Sequence, residues 1–338
     1  MRSFKRMALI LLAVGAVCAL PVAWAQSPTV VKFATLAPEG SSWMQIFKAA
    51  ADEIQQKTAN AVQFRIYPGG VMGDEKDMVR KLHIGQIHSA VLTSAGMSGI
   101  YPDMDVLQIP FLFNNYAEVD HVVEKVEPAL RKGLADKGYV LLGWSEAGFV
   151  NLMATVPVDT LDKVRKAKVW IWSDAPMAAA IFNEAGVPGV PLNIPDVLVA
   201  LQTGLVEVIY APPSAAIAMQ WFTRVKYLSD TPLLFLQGGI LLKKETFEAI
   251  PAAHQPVVLE VFRKHFSRLR EVIRKENQDS LNLMRKQGIQ FMTLSAEQID
   301  EYKRITDRAM AREGSHKYSA AMGAEVAALV KAARGGTK

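Results

Sequence analysis

Residues 161–212 constrain the fold more tightly than any other part of the chain. Lys168-Val169-Trp170-Ile171-Trp172 is a short apolar and aromatic strand. Asp174-Ala175-Pro176 opens a helix, with Pro176 in the first turn, where a missing N–H costs nothing. That helix carries residues 177–182 and stops near Gly186. Residues 187–192 form a second strand-like run bent by Pro188 and Pro191. Residues 195–201 form a helix ending in Gln202-Thr203-Gly204, and residues 205–210 form a third strand. Strands alternating with short helices make parallel βαβ units. Ligands of such sheets bind outside the carboxyl ends of the strands. The residues to watch are therefore Trp170, Trp172, Tyr210 and Ala211.

The rest of the chain follows the same grammar. Residues 30–35, 62–67 and 89–93 read as strands. Between them lie a helix over 43–57 and a second carrying Met78, Val79, Leu82 and Ile84. The loops after Thr35, Tyr67 and Thr93 fall on the ligand side of this first α/β unit. Residues 106–113 read as core or a hinge-side wall, and 118–137 as mostly helix. Strands at 139–144 and 149–154 stand where the chain crosses into a second lobe. Helix is expected over 213–223, and strands over 226–229, 233–242 and 290–294. Apolar residues at helical spacing over 256–287 predict one long helix able to brace two lobes. Ser295 with Gln298 three residues on predicts a capping box. The chain divides into 26–147, mainly lobe 1; 148–235, mainly lobe 2; a shared segment 236–330; and an end beyond Lys331 expected to fray.

Residues 1–25 have the three parts of a secretory leader: basic Arg2, Lys5 and Arg6, an apolar run over 7–20, and the cleavage pattern Ala23-Trp24-Ala25. The exported chain then starts at Gln26 and has no membrane anchor. The apolar run is short for a membrane span, and Val17 stands where a lipidation signal at Cys18 needs a small residue. The formal charge of +5 falls to about +2 without the leader, which holds three bases and no acid. Such a balance gives no signature of nucleic-acid binding. Cys18 is the only cysteine, which excludes disulfides and thiolate metal sites from the exported part. His83, His88, His121, His254, His265 and His316 form no recognisable metal motif. No nucleotide loop or catalytic constellation occurs, so no cofactor, no metal and no enzyme activity are expected.

Several segments carry a family likeness. They are the Ala37-Pro38-Glu39-Gly40 loop before Trp43, the turn around Gly70 and Met72-Gly73, Leu82-x-x-Gly85, and Pro110-Phe111-Leu112-Phe113. Ala200-Leu201-Gln202-Thr203-Gly204, the closing Pro212 and the long helix complete the set. In this order and spacing the chain resembles the DctP-type solute-binding proteins of tripartite ATP-independent periplasmic (TRAP) transporters. The resemblance implies an α/β fold of two lobes around a hinged cleft. It also implies a periplasmic location, and delivery of a small organic solute to membrane subunits of the transporter.

The departures from the family pattern bear on the ligand. The family's lysine-x-arginine strand motif, which clamps a carboxylate, reads Lys168-Val169-Trp170 here. Val150 stands where a second arginine often follows glycine-phenylalanine, and Ala211 replaces the asparagine of the closing strand. No tryptophan reproduces a bidentate guanidinium. A carboxylate in a desolvated cleft without a counter-charge is strongly disfavoured. Trp170, Tyr210, Val150 and Trp144, with Trp172 and Ala211 beside them, should instead enclose an aromatic, heterocyclic or apolar solute, or hold a cation over a ring. Glu146, Glu207 and Glu39 are the acids on that side. Arg65, Arg80 and Arg224 are the candidates for a displaced carboxylate clamp. A sensory ligand-binding partner is the alternative function on the same fold.

Overall fold

The computed structural model describes residues 27–173, 175–312, 314 and 318–335. The expected leader, Asp174, His316 and residues 336–338 lie outside the described residues.

Lobe 1 is built on β1 (Thr29–Ala34), β2 (Val62–Tyr67) and β3 (Ser89–Thr93), parallel to one another in the order β2-β1-β3. α1 (Ser42–Lys57) follows β1, and Ser41 Oγ caps it by accepting from the Met44 N–H. α2 (Glu75–His83) follows β2, and the short α3 (Ser94–Ser98) follows β3. A 3₁₀ turn over Pro102–Gln108 leads into α4 (Tyr116–Asp136).

The chain enters lobe 2 along β4 (Tyr139–Ala154), a single 16-residue strand where two strands were expected. Register shifts at Leu141/Gly143 and Glu146/Gly148 bend the strand without breaking it. α5 (Leu161–Lys166), β5 (Val169–Trp172), α6 (Pro176–Glu184), β6 (Gly189–Leu192), α7 (Val197–Thr203) and β7 (Val208–Ala211) form the parallel unit read from residues 161–212. β6 starts only at Gly189, since Pro188 has no N–H to give a ladder. α8 (Pro213–Ala218) and a 3₁₀ turn over Trp221–Thr223 replace the continuous helix expected over 213–223.

β8 (Tyr227–Ser229) pairs with the end of β4. β9 (Leu234–Lys243) then returns to lobe 1 between β3 and β4, antiparallel to both. The strand order is β2-β1-β3-β9-β4-β7-β5-β6. After α9 (Lys244–Glu248), α10 (Gln255–Lys286) runs 32 residues, roughly 48 Å at 1.5 Å per residue. Val258, Phe262 and Phe266 sit in the core of lobe 1 with Phe33, Trp43 and Phe47, whereas Met284 sits in the core of lobe 2. The Phe33 and Phe47 rings stack at 3.8 Å, and each fully buried ring contributes about 1.5–3 kcal/mol. α10 thus braces both lobes.

β10 (Gln290–Met292) pairs with β8, and the capping box of Ser295 and Gln298 opens α11 (Ala296–Met310), which packs on α6. α12 (Ala320–Gly335) packs back on α4 in lobe 1. It continues four residues past Lys331, where fraying was expected, and Arg334 closes on the buried Glu118 at 2.9 Å. Among the described residues no helix is long and apolar enough to cross a membrane.

Candidate functional site

The carboxyl ends of β1, β3, β5 and β7 face one another across the lobes around a cavity of about 810 Å³. That lies near the upper end of the range of small-molecule sites, roughly 300–1,000 Å³. Thr35, Trp43, Glu75, Thr93, Phe111 and Ser145 line it from lobe 1. Val150, Trp170, Trp172, Tyr210, Ala211 and Trp221 line it from lobe 2. Trp43 is held by its indole Nε1–H donating to Ser145 Oγ at 2.7 Å. Phe111 adopts a left-handed backbone (φ 58°), a conformation that costs a non-glycine residue about 1–3 kcal/mol, and its N–H donates to Leu233 O at 2.7 Å.

β5 and β7 pair only at Val169 and Val208, then separate. Tyr210 fills the split. Its hydroxyl accepts from the Trp172 N–H at 3.1 Å, and its ring stacks on Trp170 at 4.9 Å. Trp170 turns its edge to Trp221 and donates Nε1–H to Leu192 O at 3.0 Å. Trp170 is thus largely part of the lobe 2 core, while Trp172 reaches across the cleft. Its Nε1–H donates to Asp74 Oδ2 at 2.8 Å, and the same oxygen accepts from the Ile194 N–H at 3.1 Å. Asp74 also caps α2 through Oδ1. One carboxylate therefore joins the lobes, and Leu36 packs against the cores of both. The lobes are closed.

Trp172→Phe deletes the indole donor and leaves the cap of α2 intact. A hydrogen bond to a charged group is worth about 1.5–3 kcal/mol, so the ratio of closed to open form should fall at least tenfold. An increased radius of gyration in small-angle X-ray scattering is the expected readout; an unchanged one would refute the latch.

The acids are more numerous here than sequence reading suggested. Glu75, Glu146, Glu276 and Asp279 all line the cavity, and among the described lining residues there is no Lys, Arg or His. Arg65, Arg80 and Arg224 are not among them. Glu146 is neutralised from behind: Arg274 Nε and Nη2 donate to its two oxygens at 2.6 and 2.9 Å. Ser42 Oγ donates to Glu276 Oε1.

Glu75 is different, because no cation among the described residues pairs with it. Its Oε1 accepts from the Thr93 N–H and its Oε2 from Thr93 Oγ1, both at 2.7 Å. Gly96 allows this seat, since a Cβ there would overlap the carboxylate. Burial pushes the carboxyl up to about 8, assisted by neighbouring Asp74 and opposed by the hydrogen bonds from Thr93 and Gly96. The folded state therefore holds a proton that the unfolded chain releases between about pH 4.5 and 8. The contribution of Glu75 to stability is complete below that window and lost as pH rises through it. Glu75→Gln should gain on the wild type by a few kcal/mol, in order of magnitude, between pH 4.5 and 8.5. Thermal midpoints of both proteins across that range check it; a constant difference would contradict it.

Six of the eight site residues named from sequence (Trp170, Tyr210, Val150, Trp172, Ala211 and Glu146) lie on the cavity wall, and two do not. Trp144 packs against the lobe 1 core on the opposite face from Ser145, its Nε1 without a hydrogen-bond partner. Glu39 is exposed and paired with Lys48. Glu207 accepts from the Lys168 N–H away from the cavity. Sequence reading missed Glu75, Trp43 and Phe111. It also missed an apolar extension of the cavity inside lobe 2, walled by Val164, Met177, Ile181, Phe182, Tyr302 and Ile305. The available signal was α6 itself, which is apolar on every side until Asn183 yet has only Met177 fully buried. Among the described residues no cluster of His, Cys, Asp and Glu is arranged to hold a metal.

A family model described as bacterial extracellular solute-binding protein, family 7 (DctP), matches residues 33–315. The 2,3-diketo-L-gulonate-binding periplasmic protein YiaO of Escherichia coli is 22% identical over 72% of this chain and 74% of its own. A TRAP periplasmic solute-binding protein from Desulfovibrio salexigens with bound orotic acid superposes with a TM-score of 0.79. It is 20% identical, covering 91% of this chain and 99% of its own. The sugar-acid-binding protein DctPAm of Advenella mimigardefordensis, in complex with galactonate, gives 0.83 at 18% identity over 91% and 99%.

Proposed function

Because the chain belongs to the bacterial extracellular solute-binding proteins of family 7, the DctP family of TRAP transporters, we propose that it captures a small organic solute lacking an arginine-bound carboxylate. The solute is aromatic, heterocyclic, apolar or cationic. The protein encloses it between two lobes in the periplasm and hands it to the membrane subunits of a TRAP transporter. It performs no chemistry on it.

The observation that carries this reading is the cavity wall. It holds four acids and many aromatic and aliphatic groups, with no cation among its described residues. The orotate, galactonate and diketogulonate of the similar proteins are all acids. An acid of that kind entering this cavity would meet Glu276 and no counter-charge among the described lining residues, and an unpaired buried charge is costly. Trp170, Val150 and Ala211, at the positions where the family pattern has its polar anchors, support the same conclusion.

The test uses matched ligands sharing one skeleton: 2-phenylethylamine, 2-phenylethanol and phenylacetate, titrated calorimetrically, alongside native mass spectrometry of protein purified without added ligand. Phenylacetate should bind at least tenfold more weakly than the better of the other two, and any retained molecule should lack a carboxylate. Preferential binding of the acid, or a retained carboxylate, would overturn the assignment.

A further inference from the structure

Building on the function proposed above, we infer that the solute is an elongated amphiphile. Its hydrogen-bond-donating head sits between the lobes, and its apolar tail enters lobe 2 beneath α6. The cavity is continuous from the cleft to this arm, so one molecule can occupy both.

The two ends differ in chemistry. At the cleft, Glu276 and Asp279, the latter also paired with Lys275, offer carboxylate oxygens, which suit an ammonium or hydroxyl donor. The arm offers hydrocarbon. Its floor is the face of the lobe 2 sheet opposite Trp170, carrying Leu152. Its roof is α6 and its side wall α11, with Ile181, Phe182 and Ile305 turned inward. Phe182 approaches Tyr210, whose ring stands at the junction between cleft and arm, at 5.9 Å. The roof is tied down at its far end, where Arg308 and Arg312 of the α11 segment both pair with Glu184 of α6. These ion pairs hold the arm as a built space. A compact sugar acid would leave the arm unfilled, and apolar surface without a partner forfeits its dispersion contacts.

The experiment titrates the exported chain with n-butylamine, n-octylamine and n-dodecylamine, and with n-dodecanoate. Affinity should rise about three- to fourfold for each methylene that enters the arm, hence by at least a hundredfold between the four- and twelve-carbon amines. Ile181→Trp, which fills the arm, should compress that gain to within about tenfold. Ala178→Phe should do the same from the neighbouring position on α6. Equal binding of butylamine and dodecylamine by the wild type would overturn the arm, whatever the variants do. A steep chain-length dependence with dodecanoate preferred over dodecylamine would keep the arm but refute the proposed choice of head, so the two failures are distinguishable.

Discussion

Arg274→Met is expected to destabilise the protein by about 3–5 kcal/mol, the range seen when one partner is removed from a buried ion pair. Arg274 projects from α10 and gathers three elements. It donates to both oxygens of Asp120 on α4, at 2.6 and 2.8 Å, as well as to both of Glu146 on β4. Its guanidinium lies 4.4 Å from the centre of the Tyr116 ring. Methionine keeps much of the aliphatic packing and removes all the charge. Asp120 can recover water, but the Glu146 side chain is only 4% exposed and would be left as an uncompensated carboxylate. Adding Glu146→Leu should therefore recover at least 1 kcal/mol, because replacing a buried pair by apolar groups is far milder than breaking it. Equilibrium urea unfolding of both variants measures this. A single variant within 1 kcal/mol of the wild type, or a double variant no better than the single, would show that Arg274 is not the centre of the network.

Gly148→Val should cost about as much for a different reason. Gly148 sits at the lower register shift of β4 with φ at 108°, a backbone that a β-branched residue cannot adopt without strain. An added Cβ would also overlap Asn277 Nδ2. That amide is fully committed: Nδ2 donates to Ala147 O at 2.9 Å and Ile273 O at 3.0 Å, and Oδ1 accepts from the Ser214 N–H at 3.0 Å. Asn277 thereby pins the bend of β4 and the start of α8 to the bracing helix. Strain of about 1–3 kcal/mol and a displaced buried amide worth about 1–3 more give roughly 2–6 kcal/mol in all. The thermal midpoint should fall by several degrees, and Gly148→Ala should fall between valine and wild type. A valine variant as stable as the wild type would mean that the bend relaxes freely.

The alternation of elements was legible because periods of 2 and 3.6 are written in the apolar residues. The bracing helix appears within one residue of its expected bounds, and the elements of residues 161–212 within two or three, the last strand starting at Val208 where 205 was expected. The bend of β4 was not legible. Residues 145–148 look like a break between two strands, and only the shifts in pairing register show one strand bending. The shift at Leu141/Gly143 also helps explain Trp144. A shifted pairing alters which face a neighbouring side chain occupies, and no composition records it. Glu75 was hidden for another reason. An acid in the first turn of a helix normally signals favourable placement in water, and nothing local says that Thr93 and Gly96, some twenty residues on, fold over it. The arm beneath α6 escaped notice because an alanine-rich apolar helix reads as filled core whether or not anything fills it.

The two lobes are stitched together repeatedly. β4 carries the chain out of lobe 1, β9 brings it back alongside, α10 crosses again, and α12 ends on the lobe where β1 began. A shuffled gene that joined one lobe of this protein to the other lobe of a relative would need several separate splices, each matched at a bend. A modular exchange of lobes is closed to such a chain. The cavity can then be reshaped only one side chain at a time, at wall positions such as Val150, Trp170 and Ala211, while the scaffold around them is inherited whole.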